Sequence, residues 1–255
     1  MLEGKVALVS GTGPNIGSEI ARTLAASGAT VACMDLSHEF AQAAAKSIID
    51  AGGKAMGVAA DTTKSDQVDK AVQAVLDEFG RIDLLVNDAA ISDRRPFLET
   101  DVAEWQKVLD VVLTGTFVVS QRVARQMVAQ GDGGAIVNIV STSGHAGETA
   151  RIAYGTAKSG LLNFTRSLAL QLAPHKIRVN SVTPSTSGTR VGDPGGRPRD
   201  EGPPPNPHSV PLGRWGTPHD QAQAVLFMLS PMAEFITGVD LPVDGGNLAG
   251  RPGGG

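Results

Sequence analysis

Short apolar runs alternate along this chain with stretches in which apolar residues recur every three or four positions. Val6–Val9 is such a run, followed by Gly-rich punctuation and a helical pattern over about 16–27 that Gly28 closes. A second strand is predicted over 30–34, then an Ala-rich helix that stops at Gly52-Gly53. Residues 54–59 read as a third strand, 66–79 as a helix and 83–86 as a fourth strand. Two helices are expected over about 101–130, a fifth strand over 135–140 and a long helix over about 152–173. Residues 177–182 and 239–243 complete seven strands, with a helix near 220–230 between them.

The strand runs are apolar on both faces, which suits strands buried between two layers of helix. The fold class predicted is therefore α/β: one doubly wound, Rossmann-like parallel sheet of about seven strands, with right-handed crossovers. Such sheets bind ligands beyond the carboxyl ends of their strands. One domain over 1–249 is expected, because 255 residues lie at the large end of the single-domain range. The Gly- and Pro-loaded segment 185–211 breaks the pattern. It reads either as a lid over a pocket or as an insertion, since structureless loops of this length are unusual in a compact domain. The 250–255 tail is expected to be flexible or a subunit contact.

Composition narrows the class. Hydrophobic residues make up 41% and charged residues 19%, as in soluble globular proteins. A net charge of -4 supplies no electrostatic reason to bind nucleic acid or anionic membranes. The single cysteine, Cys33, excludes an internal disulfide and suits a reducing compartment. With no signal-peptide pattern and no apolar run near the ~20 residues of a membrane span, a cytoplasmic enzyme is the expectation.

The candidate chemistry falls at the predicted strand ends. Gly11-Thr12-Gly13-Pro14-Asn15-Ile16-Gly17 joins strand one to helix one. Glycines there let backbone N–H groups approach a pyrophosphate, which a helix N-terminus also attracts. Asp35 ends strand two, where a carboxylate can accept hydrogen bonds from ribose hydroxyls and repel a 2′-phosphate. No lysine or arginine lies between Gly11 and Gly17, so NAD is favoured over NADP. Asp61 can contact the adenine or serve as punctuation before the helix at Ser65-Asp66. The only tyrosine, Tyr154, precedes Lys158 by four residues and follows Ser141 by thirteen. Positions i and i+4 share a helix face, so the ammonium can lie near the phenol. Lowering a phenol from ~10 to ~7 takes roughly three pKa units, about 4 kcal/mol, a load suited to a lysine plus a cationic ligand.

These residues together resemble the short-chain dehydrogenases/reductases, single-domain NAD(P)-dependent oxidoreductases with a Ser-Tyr-Lys site. The resemblance runs from about Lys5 to Asn247. It includes Val243-Asp244-Gly245-Gly246 near the C-terminus. It implies Tyr154 as general acid/base and Lys158 as the residue that lowers its pKa and holds the nicotinamide ribose. Ser141 would hydrogen-bond the substrate oxygen. It further implies cofactor contacts from Gly11, Gly13, Asn15, Ile16, Gly17, Asp35, Asp61, Thr62, Asn87, Ala89, Tyr154, Lys158, Pro184, Ser187 and Thr189. No metal is implied, and a homotetramer is expected by the same analogy. Four motifs depart from the family pattern. Asn15 replaces the middle glycine of the turn, where asparagine's tolerance of left-handed backbone would preserve the geometry. Asn87-Asp88-Ala89-Ala90 stands for N-N-A-G, and Pro184-Ser185 for P-G. Val112 stands where many members carry an asparagine that holds a water in the proton relay.

The function expected is an NAD(H)-dependent oxidoreductase that interconverts a secondary alcohol and a ketone. One alternative is an NADPH-dependent 3-oxoacyl-thioester reductase, against which Asp35 argues. Another is a non-catalytic nucleotide-binding or scaffold protein, for which Val112 and Ser185 are the best support. Ser143, His145 and Glu148 are candidate pocket residues that read equally well as surface loop. Arg94, Arg95 and Arg151 read better as solvated charges than as a site for an acidic substrate.

Overall fold

The computed structural model describes residues 1–93, 95–185 and 210–250. Ser187, Thr189, Arg94, most of the 185–211 segment and residues 251–255 lie outside the described residues. Seven parallel strands form one sheet in the order β3-β2-β1-β4-β5-β6-β7. They are β1 (Val6–Ser10), β2 (Thr30–Asp35), β3 (Ala55–Ala59), β4 (Leu84–Asn87), β5 (Gly134–Ile139), β6 (Ile177–Pro184) and β7 (Asp240–Val243). The chain starts at β1, winds outward to β3, then returns to β4 on the other side. That reversal between β1 and β4 is the switch point, the place where such sheets open a crevice.

Side chains alternate across the sheet and meet a helical layer on each face. Val9, Val31, Val86 and Val137 pack with α1 (Ile16–Ala26), α2 (His38–Asp50) and α7 (Pro218–Leu229), represented by Leu24, Ile48 and Val225. Leu8, Met34, Leu85 and Ile136 pack on the other face with α3 (Ser65–Phe79) and α5 (Gly115–Gln130), represented by Val75, Val123 and Met127. The fully buried Cys33 is part of the first face, and burial pushes its thiol up to about 12. Among the described residues, no helix is long and apolar enough to cross a membrane.

Two sequence expectations shift. The helices expected over 101–130 are one helical run: α4 (Val102–Leu109) passes through a π-helical segment (Asp110–Thr114) into α5. Asp83 does not belong to β4. Its carboxylate accepts the Val6 N–H at 2.9 Å and pairs with Arg81, so it ties the start of β1 to β4 from outside the ladder.

The turn between β1 and α1 is closed by glycine contacts that no side chain could share. Gly11 has φ +81°, and a Cβ there would sit 2.5 Å from the Ala89 nitrogen. A Cβ on Gly17 would lie 2.1 Å from the Gly11 carbonyl oxygen and 2.9 Å from Asp88 Oδ2. Gly17→Ala is therefore expected to destabilise the protein by about 2 kcal/mol or more, read as a lower urea midpoint at unchanged slope. Asn15 does not use left-handed backbone: its φ is -156°. The turn survives the loss of its middle glycine because Gly11, not position 15, carries the positive φ.

Candidate active site

The long helix α6 (Ile152–Leu172) lies against β6, bonds to β5 through Lys158 and Thr165, and carries both Tyr154 and Lys158. Its first turn is fastened by Asp93, whose carboxylate accepts the Ala153 and Tyr154 N–H groups at 3.1 and 3.0 Å. Asp93 was not anticipated from sequence. Its signal would have been an acid placed to complement a helix N-terminus, but the partner lies sixty residues away.

Tyr154 and Lys158 are 4% and 2% exposed. The Tyr154 ring packs among Val112, Val140, Ala153, Ala157 and Leu161. Lys158 Nζ lies 5.6 Å from the ring centroid and donates to the Ile139 carbonyl at the end of β5. The Arg151 guanidinium lies over the same ring, also at 5.6 Å. Burial pushes the Tyr154 phenol up to about 12. The Ser141 hydroxyl and the Arg151 charge work downward, whereas Asp88 and Glu148 add to the rise. In the protein alone, desolvation thus outweighs the nearby cations. Burial of this ring is set by tertiary packing and has no local sequence signal.

Ser141 follows β5 and begins a short turn in which Ser143 folds back. The Ser141 hydroxyl donates to Ser143 Oγ at 3.2 Å, and Ser143 Oγ donates to Glu148 Oε1. Arg151 grips Glu148 with two bonds of 2.8 Å, from Nε to Oε2 and from a terminal nitrogen to Oε1. Ser143 and Glu148 thereby join the Ser141–Tyr154 pair. His145 points elsewhere: its Nε2 is 3.0 Å from Asp240 on β7 and 3.2 Å from Thr183 on β6.

Asp88, directly after β4, meets the glycine turn and the lysine together. Its carboxylate lies against Gly17, with Oδ2 2.9 Å from where a Cβ there would sit, and interacts with the Lys158 ammonium. Burial raises the Asp88 carboxyl and lowers the Lys158 ammonium, and each charge opposes the other's shift. Asn87 is buried and donates to Ser120 Oγ and Asn138 Oδ1, both at 2.9 Å. Asn138 donates onward to Thr165 on α6 at 2.9 Å. Asn87, Asn138 and Thr165 thus tie β4, β5 and α6 together beneath the site. The other expected residues fall along the same edge. Asp35 ends β2 with Oδ1 accepting the Ser37 N–H at 2.9 Å, Asp61 accepts from the Thr63 N–H and hydroxyl, and Pro184 ends β6. Thr62 packs against Gly115, where a Cβ would meet its hydroxyl at 2.6 Å.

The profile described as Enoyl-(Acyl carrier protein) reductase matches residues 11–247. The chain belongs to the short-chain dehydrogenase/reductase family. Within that family it is 40% identical to the 3-oxoacyl-(acyl-carrier-protein) reductase of Aquifex aeolicus (strain VF5), over 96% of this chain and 98% of that protein. It is 36% identical to the D-threitol dehydrogenase of Mycolicibacterium smegmatis, over 96% of this chain and 93% of that protein. The fold superimposes with a TM-score of 0.90 on the carveol dehydrogenase of Mycobacterium avium in complex with NAD, at 27% identity over 98% and 99% of the two chains. Relatives of this short-chain dehydrogenase/reductase thus include both alcohol dehydrogenases and a thioester reductase.

The Asp88 carboxylate is this protein's departure from the family's N-N-A-G, and it sets a test. Its negative charge raises the Tyr154 pKa, so Asp88→Asn is expected to lower the tyrosinate midpoint. With only one tyrosine, absorbance titration reads that residue alone.

Proposed function

We propose that this protein is an NAD(H)-dependent oxidoreductase that interconverts a secondary alcohol and a ketone, with residues 1–249 as one catalytic domain. The observation that carries the reading is Ser141 at the end of β5 with the buried Tyr154 ring beside Lys158, set at the carboxyl ends of the strands together with the acidic end of β2. The residues present fit a dinucleotide. No side chain caps the N-terminus of α1, the Gly11–Gly17 turn leaves backbone facing backbone, and Asp35 stands at the next strand end. Gly11, Gly13, Asn15, Ile16 and Gly17 would hold the pyrophosphate, Asp35 the adenosine ribose, and Asp61, Thr62, Asn87 and Ala89 the adenosine side. Lys158 and Pro184, with Ser187 and Thr189, would hold the nicotinamide end. Bound NAD supplies a nicotinamide ring that accepts or returns a hydride.

The chain's own residues handle the oxygen and the proton. Ser141 hydrogen-bonds the substrate oxygen and orients it toward Tyr154. Tyr154 removes the hydroxyl proton in oxidation and returns it in reduction. Lys158, with its Ile139 contact, positions ribose and phenol together. Ser143 and Glu148 border this pocket. His145, turned toward Asp240, has the weaker claim to a substrate contact.

We place the enzyme in the cytoplasm as a homotetramer. An apolar groove of about 390 Å³ between α5 and α6, lined by Phe117, Val128, Phe164 and Leu168, supports the subunit contact. The second reading, an NADPH-dependent 3-oxoacyl-thioester reductase, is favoured by the identity with the Aquifex aeolicus protein. A panel of secondary alcohols, ketones and 3-oxoacyl thioesters, run with both nucleotides and followed by reduced-nicotinamide absorbance, separates the readings. Alcohol turnover with NAD supports the first, and thioester turnover confined to NADPH replaces it with the second.

A further inference from the structure

The phenol of Tyr154 needs an exit for the proton it collects, and its surroundings close most directions. Val112, fully buried on the π-helical segment, forms an apolar wall with Val140, Ala157 and Leu161. The Val112 carbonyl already accepts the Thr116 hydroxyl at 2.8 Å. Lys158 donates to the Ile139 carbonyl and faces the buried Asp88. Arg151 has donors only and stays charged, so it cannot accept a proton.

The remaining side holds a continuous line of groups that both donate and accept. Ser141 acts directly on the Tyr154 phenol, Ser141 Oγ reaches Ser143 Oγ at 3.2 Å, and Ser143 Oγ reaches Glu148 Oε1. Ser143 is 6% exposed, so the middle of the line is shielded. The Glu148 side chain is 29% exposed, so the outer end meets solvent. Its aim is fixed by the Arg151 fork, and Arg151 accepts a left-handed φ of +64° at the helix start to make it. A left-handed conformation at a non-glycine residue is unfavourable and persists where local contacts over-determine it.

We propose that Ser143 and Glu148 form a proton relay that carries the proton of Tyr154 through Ser141 to bulk water. The inference rests on the oxidoreductase reading above. In alcohol oxidation the Tyr154 proton moves to Ser141 Oγ, the Ser141 proton to Ser143 Oγ, and the Ser143 proton to Glu148 Oε1. Each hydroxyl ends with one proton, the phenolate is restored, and the Glu148 carboxyl releases its proton to water. Reduction runs the same line inward. No heavy-atom bond changes and no electron moves along it. Glu148 and Ser143 are relay residues; they touch neither substrate nor nucleotide in this scheme.

The test compares wild type, Glu148→Gln, Glu148→Asp and Ser143→Ala on an alcohol that wild type oxidises. The Gln and Ala variants are expected to lose on the order of 10²-fold in kcat with KM within about twofold. Added imidazole is expected to restore their kcat in proportion to its concentration while leaving wild type unchanged, and Glu148→Asp to retain most activity. A purely structural role would not respond to a diffusible base. Gln and Ala variants with wild-type kcat, or a loss that imidazole does not repair, would overturn the relay. Wild type that turns over nothing in the panel overturns the oxidoreductase reading, and the relay with it.

Discussion

Tyr154→Phe is expected to lower kcat by about 10³-fold or more while NAD affinity changes only a few-fold, because the ring remains and only the acid/base oxygen is lost. The ring packs among Val112, Val140, Ala153 and Leu161, and phenylalanine fills the same space. A loss in kcat with retained binding is the pattern of a group used in the reaction itself. Phenylalanine with near-wild-type kcat would remove Tyr154 from the acid/base role. The same variant has a stability signature. The phenol ionises at about 12 in the folded protein, against ~10 unfolded, so the folded state holds its proton more tightly. That stability is fully present below pH ~10 and is lost as pH rises through about 12. The loss amounts to about 2–3 kcal/mol. In Tyr154→Phe this part of the alkaline decline should vanish. Urea midpoints measured across that window for both proteins check it.

Neutralising Asp35 carries the second large effect. Wild type is expected to prefer NAD over NADP by on the order of 10²-fold in kcat/KM, and Asp35→Asn to lose most of that preference. Two like charges about 4 Å apart repel by ~4 kcal/mol at the effective dielectric near a protein surface, and ionic screening brings this to about 2–3 kcal/mol. The carboxylate is held in place. Oδ1 accepts the Ser37 N–H, and Oδ2 would lie 3.8 Å from a Cβ on Gly13, so the acid sits over the glycine turn. Burial raises the Asp35 carboxyl, while N–H groups of Ser37, Gly13 and Leu36 oppose the rise. The sign of the pH effect follows: discrimination against NADP is full at neutral pH and fades as acid protonates Asp35, sooner than for an exposed aspartate. Steady-state kinetics with both nucleotides, at several ionic strengths, measures it. Wild type that prefers NADP would exclude this role and favour the thioester reductase reading.

The layers of the fold were legible because apolar strands and amphipathic helices write their burial locally. Val6–Val9 needs two covered faces wherever it lies, and the periodicity of 152–173 marks a helix without reference to its partners. The glycine turn, Asp35 and the Ser141-Tyr154-Lys158 spacing were legible for the same reason, since each geometry is set within a few residues or by a helix repeat. The strand order that brings β1 beside β4, the Asp93 cap on α6 and the Asn87–Asn138–Thr165 chain join positions 27 to 77 residues apart. No local pattern encodes such pairings. The π-helical turn at Val112 was invisible because a single extra residue barely changes periodicity. Electrostatics depended most on tertiary structure. From sequence, Lys158 lowers the Tyr154 pKa. In the folded chain, burial dominates, Asp88 draws on the lysine, and Arg151 with Glu148 sets the field over the phenol. Charge effects depend on distance and desolvation, and both exist only once the chain has closed around the group.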